Sequence, residues 1–479
     1  MTQLEKANQY IKENKVDYKE RPAFHVSAPV GWINDPNGFS IYQNTAHLFF
    51  QFYPYDSVWG PMHWGHVKSD DFIKWEDMPT ALAPDQTYDA EGCFSGSAIA
   101  TSEGHALLYT GVMKKDNKVY QNQCLAIGDG LHYEKIDQNP VVDGAIMPED
   151  CSREDFRDPK VWQEDGLYYM VAGNRTNDHV AQVVLFSSHD LTHWQFESVL
   201  AKDQEGNLGA VWECPDFFKL DGEQILIVSP QDMCESDAFH NGNNAIYLTG
   251  TYDNKTHIFD YQQARAIDDG IDFYAPQTLE APDGRRIMVA WMQSWDNFIK
   301  PVHQKWANMM TLPRELSMKD GHLIQQPVRE LNQYHTNHVS YDHYHFTNEI
   351  TLPGISGRMI DLTVTIHSQN YHECTISFAK NDKYHVDFSY NKYKNILELD
   401  RSHCGMIRDC VAIRRKKLRY VHDELKMRII LDRFSAEIFI NDGEQVFSTT
   451  FYTPLDAKDI TFSSPDDLII SVDQYDIVL

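Results

Sequence analysis

Short apolar runs recur along the first two thirds of the chain: Leu48-Phe-Phe-Gln-Phe52, Leu107-Leu-Tyr-Thr-Gly111, Tyr168-Tyr-Met-Val-Ala172, Ile225-Leu-Ile-Val-Ser229 and Ile287-Met-Val-Ala-Trp291. Their starts are 59, 61, 57 and 62 residues apart. Runs this short, and this rich in aromatic and β-branched residues, read as buried strands rather than helices. Five units of near-constant length, each long enough for about four strands, predict a five-bladed β-propeller. The echo between Ser69-Asp-Asp-Phe-Ile-Lys-Trp75 and Ser188-His-Asp-Leu-Thr-His-Trp194 keeps the same phase.

From about residue 340 the pattern changes to alternation of period two, in Asp361–Ile366, Tyr384–Tyr390, Met427–Leu431 and Ala436–Asn441. Asp442-Gly443 supplies a hairpin turn after the last of these. This predicts an antiparallel β-sandwich with one wet face per sheet. The expected organisation is all-β: a propeller over 1–327 with a short helical lead-in, a linker over 328–339 and a sandwich over 340–479. Val328–His335 reads as a short amphipathic linker helix, and the basic run Arg414-Arg-Lys-Lys-Leu-Arg419 as a solvated strand edge that discourages aggregation.

The polar motifs fall at one place on this ruler. Asp35, Ser95, Asp158, Glu213 and Asp272 precede the five runs by 13, 12, 10, 12 and 15 residues. Each is therefore expected in the first strand of its blade, where the innermost strands surround one channel. Carboxylates more than a hundred residues apart can meet there. Trp32-Ile-Asn-Asp-Pro-Asn-Gly38 around the first of them is strong turn punctuation, since Pro fixes φ and Gly tolerates positive φ. Asp35 is expected on a stiff bend at a strand end.

Composition narrows the function classes. The chain has 479 residues, 42% of them hydrophobic and 12% aromatic, enough for a large core in more than one domain. A net charge of −28 argues against nucleic-acid or anionic-membrane partners, while leaving room for a local basic patch and a phosphorylated substrate. A charged N-terminus without an apolar core, and eight cysteines without a CxxC pair, lead us to expect free thiols in the cytoplasm. His63 and His66 have metal-like spacing but no partnering cluster, so neither metal nor cofactor is expected. A homo-oligomer is compatible with the sequence.

Converging acids repel, so at least one should hold its proton near neutral pH, as an acid-plus-nucleophile reaction requires. Glycoside hydrolysis uses such a pair, roughly 5–5.5 Å apart for retention and roughly 6.5–9.5 Å for inversion. The residues alone leave the stereochemistry open. Asp35, beside the amide of Asn34, suits a nucleophile. Glu213, in apolar Trp212-Glu-Cys-Pro215, suits a proton donor, and Asp158, which follows Arg157, suits an ionised stabiliser of charge.

At these sites the chain resembles glycoside hydrolase family 32, the invertases, fructan hydrolases and sucrose-6-phosphate hydrolases. The matching blocks are WINDPNG, Arg157-Asp-Pro159 and Glu213-Cys-Pro215, with Gln51-Phe-Tyr-Pro54, Trp59, Trp64-Gly-His66, Phe94-Ser-Gly-Ser97, Asp272-Phe-Tyr-Ala-Pro-Gln277 and Leu312-Pro-Arg-Glu-Leu316. The resemblance implies a propeller followed by a sandwich, and hydrolysis of a terminal fructosyl bond with retention. It implies Asp35 as nucleophile, Glu213 as acid/base and Asp158 as transition-state stabiliser. By the same carry-over Asn34, Gln51, Trp59, Phe94, Ser95 and Arg157 would line the fructose pocket, with Trp32, Cys214 and Trp291. The expected substrate is a small sugar: sucrose, its 6-phosphate or a short fructo-oligosaccharide. Two rival readings are an inverting propeller glycosidase acting on arabinan or xylan, and a non-catalytic sugar-binding propeller.

Overall fold

A computed structural model describes residues 1–406 and 410–479. After an N-terminal helix, Gln3–Asn14, capped reciprocally by Thr2 and Glu5, the chain winds through five four-stranded antiparallel blades. Their innermost strands are Gly31–Tyr42, Gly92–Thr101, Cys151–Glu164, Val211–Leu220 and Tyr274–Glu280. The five periodic apolar runs lie on the second strands: Thr45–Tyr53, Gly104–Lys115, Leu167–Thr176, Glu223–Gln231 and Arg286–Trp291. A second strand is covered on both faces by its own blade's neighbours and the adjoining blades, which is why its apolar run is unbroken.

The Ser–Asp–Trp echoes join the third and fourth strands of blades 1 and 3. In each, an aspartate oxygen accepts two backbone N–H groups: Asp71 from Ile73 and Lys74, Asp190 from Thr192 and His193. The indole of Trp75 or Trp194 donates to the carbonyl of Phe72 or Leu191. The ring is closed by a two-residue strand, Trp306–Ala307, which pairs in parallel with Gly31 and Trp32. Asn308 adds a side-chain bond of 2.6 Å to the carbonyl of Ile33.

Residues 329–334 form a 3₁₀ helix and a strand begins at His335. In the sandwich, the long strands His335–Ile350 and Asp459–Ile477 run through both layers and pair with each other. The early part of Asp459–Ile477 joins Glu373–Lys380 and its late part joins Ile360–Ile366. One layer continues through Val386–Asn391 and Ile396–Asp400 to the edge strand Ile413–Lys417. The other continues through Leu425–Asp432 and Ser435–Ile440 to Gln445–Thr450. Leu362, Val364, Phe378, Phe388, Ile429 and Ile438 meet in the core between them. The basic run is an edge strand, but only alternate residues face solvent. Arg415 and Lys417 are exposed, whereas Arg414 and Lys416 are half-buried and Lys416 donates to the carbonyl of Ala238 in blade 4.

The two domains are joined by buried charges. His25 lies between Asp432 (2.9 Å) and Glu437 (3.0 Å) of the sandwich, and Asp432 also accepts the backbone N–H groups of Ala23, Phe24 and His25. Arg314 of blade 5 bridges Asp268 and Glu437. Asp272, expected in the channel, belongs to this interface. It precedes its blade's first strand and is bound by Arg401 at 2.5 Å and by the N–H of Thr450. Among the described residues no helix is long and apolar enough to cross a membrane, and all eight cysteines are free.

Candidate active site

Every innermost strand breaks its ladder register at the same level. The shifts fall between Ile33 and Pro36, Phe94 and Gly96, Arg157 and Lys160, Glu213 and Asp216, and Tyr274 and Gln277. In three of the five a proline stands in the gap, Pro159, Pro215 and Pro276, and in a fourth Pro36 closes it. Proline has no N–H for the ladder and so is confined to such irregularities within a sheet. A bulge also re-aims the side chain it carries. The residues before the prolines are Asp35, Asp158, Cys214 and Ala275, of which the last three have positive φ (64°, 48° and 52°). Asp35 therefore sits on a bulge inside its strand rather than at a strand end, and Ala275, not Asp272, is its counterpart in blade 5. Gly173, beside the third bulge, lets the carbonyl of Trp212 in the next blade approach; a β-carbon there would lie 2.3 Å from that oxygen.

The bulges deliver Asp35, Asp158 and Glu213 to one cavity of about 360 Å³. Asn34, Gln51, Trp59, Phe94, Ser95 and Arg157 also line it. Trp32, Cys214 and Trp291 stand one layer behind. The indole of Trp32 donates to Asn34 Oδ1 at 2.9 Å, and Asn34 in turn donates to Asp35 Oδ1 at 3.1 Å. The Cys214 thiol lies 3.7 Å from Asp35 Oδ2 and 3.5 Å from Asp158 Oδ2, while its N–H donates to Asp158 at 2.9 Å. Trp291 is fully buried against Trp32, Tyr274 and Trp295, and Trp295 takes the place on the lining.

The electrostatics differ from the expectation at two of the acids. Glu213 is not surrounded by apolar groups. It accepts from Arg157 Nε (2.9 Å) at Oε1, and from Gln231 (2.7 Å) and Tyr274 Oη (2.6 Å) at Oε2. Arg157 spends its guanidinium on Glu213 and on Asp155 (2.8 Å), not on its neighbour Asp158. Burial, reinforced by the charge of Glu213, raises the Asp158 carboxyl above its usual range despite Arg157. Burial and Glu213 likewise push Asp35 up to about 6, against the hydrogen bonds from Ser95 (2.6 Å), Asn34 and Cys214 that favour its ionised form. Asp35 is thus mainly ionised at neutral pH, with a fixed set of donors around it.

Gln121, Asp155, Gln231, Tyr274 and Trp295 were not singled out in the sequence. Asp155 could have been found, since it is two residues before Arg157 on the same strand and so on the same face. Tyr274 lies within the Asp272–Gln277 block, one residue before the Ala-Pro bulge, the same offset that Glu213 has from Cys214-Pro215.

Three carboxylates on the inner strands of one propeller, two of them in direct reach of one thiol and all walled by aromatic and amide side chains, define a glycoside hydrolase site. The comparisons with known proteins give the particular family. The glycosyl hydrolases family 32 N-terminal domain matches residues 25–327 and the family's C-terminal domain matches 329–476. The chain belongs to glycosyl hydrolase family 32. It is 35% identical to a sucrose-6-phosphate hydrolase of Zymomonas mobilis over 88% of this chain and 84% of that one. With a sucrose-6-phosphate hydrolase of Bacillus subtilis the identity is 37% over 90% and 89%. A solved β-fructofuranosidase of Bombyx mori superposes with a TM-score of 0.86 at 31% identity, covering 99% of this chain and 97% of that one.

Proposed function

We propose that the protein is a retaining β-fructofuranosidase that removes the terminal fructosyl unit of sucrose, sucrose 6-phosphate or a short fructo-oligosaccharide. The observation that carries this reading is the single cavity in which blades 1, 3 and 4 each place one acid. A pocket of about 360 Å³ suits one furanose ring with part of its partner sugar, and not a long polymer chain.

In the first step Asp35 attacks the anomeric carbon while Glu213 gives its proton to the glycosidic oxygen, leaving a fructosyl ester on Asp35. In the second, Glu213 takes a proton from water, which displaces fructose and restores both groups. Ser95 and Asn34 keep Asp35 oriented through both steps. Asp158 holds fructose hydroxyls beside the reacting carbon's position, a preorganised contribution of a few kcal/mol. Tyr274 has two acceptors, Glu213 Oε2 at 2.6 Å and the carbonyl of Ser229 at 3.1 Å. Its proton can serve Glu213 when that group is a base and turn to Ser229 when that group carries the transferable proton. The eight free thiols support work in a reducing compartment such as the cytoplasm.

The test is the anomer of the first fructose released, followed by NMR with sucrose: β-fructofuranose is expected, and α-fructofuranose would replace this mechanism by inversion. Asp35→Ala and Glu213→Ala should each lower kcat by at least about a thousandfold with an unchanged circular-dichroism spectrum. Comparison of kcat/KM for sucrose, sucrose 6-phosphate and 1-kestose orders the substrates.

A further inference from the structure

Further along the same five innermost strands, away from the acids, the channel opens into a second cavity of about 540 Å³ to which every blade contributes. It holds a buried polar cluster that the proposed reaction does not use. Asp216, 1% exposed, accepts at Oδ2 from Lys160 Nζ (3.1 Å) and from the N–H (2.7 Å) and hydroxyl (2.9 Å) of Thr278. Its Oδ1 is buried and has no partner among the described residues. Lys160, whose side chain is 12% exposed, gives one proton to Asp216 and one to the carbonyl of Thr278, and its third has no partner among the described residues. Arg286 lies 4.6 Å over the ring of Phe218 and reaches Glu280 at 3.0 Å. Burial lowers the proton affinity of both Lys160 and Arg286, so neither cation is fully compensated.

This combination selects a ligand class by exclusion. An anion would meet the buried charge of Asp216, a metal ion would meet Lys160 and Arg286, and an apolar molecule would leave the third proton of Lys160 unsatisfied. A neutral molecule with adjacent hydroxyls meets none of these objections, one hydroxyl accepting from Lys160 Nζ. Trp162, Phe218 and Tyr252 on the lining offer apolar faces to its C–H groups. We propose that this mouth of the channel is a second binding site for a neutral polyhydroxy compound, a sugar or sugar alcohol, separate from the cavity that holds the three acids.

The experiment uses the full chain. Equilibrium dialysis with labelled fructose should give two bound molecules per chain, and crystals soaked in fructose should show one of them against Lys160 and Asp216. Ala100 is exposed on the lining, apart from the ionic cluster. Ala100→Trp fills the cavity and should abolish the second binding event while leaving kcat/KM for sucrose within twofold. Lys160→Met should weaken that event at least tenfold. A stoichiometry of one in the unaltered chain, a second event untouched by Ala100→Trp, or a crystal in which inorganic phosphate rather than fructose or glucose occupies the cavity would overturn the proposal. The Ala100 variant and the soaked crystal keep the test decisive if the Lys160 variant fails to fold.

Discussion

Tyr274 donates its phenolic proton to Glu213 across 2.6 Å, from the place beside its own blade's bulge that Glu213 occupies in the blade before. Blade 5 thus acts on the reaction through another blade's acid. Tyr274→Phe removes the donor to the ionised form of Glu213 and leaves the Ser229 carbonyl without that hydrogen bond. The expected result is a fall in kcat of about ten- to a hundredfold with KM changed little. A KM that rose with kcat unchanged would show that the phenol serves substrate binding instead.

The acid limb should report Asp35. Its carboxyl is pushed up to about 6, and as the proposed nucleophile it must be ionised, so kcat/KM should drop about tenfold per pH unit below that value. Initial rates on sucrose between pH 4 and 8 measure it.

The same shift has a stability sign. Since the folded-state value lies above the ordinary 3.8, the fold disfavours ionised Asp35. The penalty is full above about pH 6, fades as the pH falls and is absent below 3.8. Asp35→Asn should therefore melt at a higher temperature than the unaltered chain at pH 7, by an increment equivalent to no more than about 3 kcal/mol, and the difference should shrink to a small fraction of that at pH 4. Equal melting at both pH values would show that burial exacts nothing at this position.

His25 gives the opposite dependence. Held between Asp432 and Glu437, it is raised from 6.5 to about 9 although burial alone would lower it. Its contribution is complete below pH 6.5 and is lost as the pH rises through about 9. Thermal unfolding should show a falling midpoint between pH 7 and 10 that is absent in His25→Gln. At pH 7 that variant should be less stable by several kcal/mol, because Asp432 stays buried without its cation while Glu437 keeps only Arg314.

Alkylation separates the thiols. Burial and the neighbouring carboxylates push the Cys214 thiol well above its ordinary value, whereas Cys234 is exposed. Iodoacetamide at pH 7.5 should modify Cys234 first and leave activity intact, as mass spectrometry with a parallel activity assay will show.

The blade count and the meeting of Asp35, Asp158 and Glu213 were legible because both follow from spacing. Apolar runs mark second strands, and a fixed offset from them marks the channel. The ruler failed at Asp272 because it counted polar residues upstream of each run, whereas what repeats in four blades is the dipeptide ending in proline: Asp35-Pro36, Asp158-Pro159, Cys214-Pro215 and Ala275-Pro276. Counted that way, Asp272 is three residues out of phase and free to bind Arg401. Roles inferred from sequence neighbours fared worse. Arg157 precedes Asp158 but turns to Glu213, and the apolar company of Glu213 along the chain is replaced in space by Gln231 and Tyr274. Those contacts depend on how blades abut, which no local pattern records. His25, Arg314 and Glu437 escaped notice for the same reason.

The latch at Trp306–Ala307 sets the order in which the enzyme becomes whole. Asp35 leaves the ribosome some 270 residues ahead of Trp306, Ala307 and Asn308, and the open edge of its strand is covered only when those three arrive, after nearly all the other blades. Until then a nascent chain exposes the sheet edge beside Asp35. Assembly of the site is accordingly a long-range event, and the growing polypeptide stays vulnerable to unwanted strand pairing until residues 306–308 have emerged.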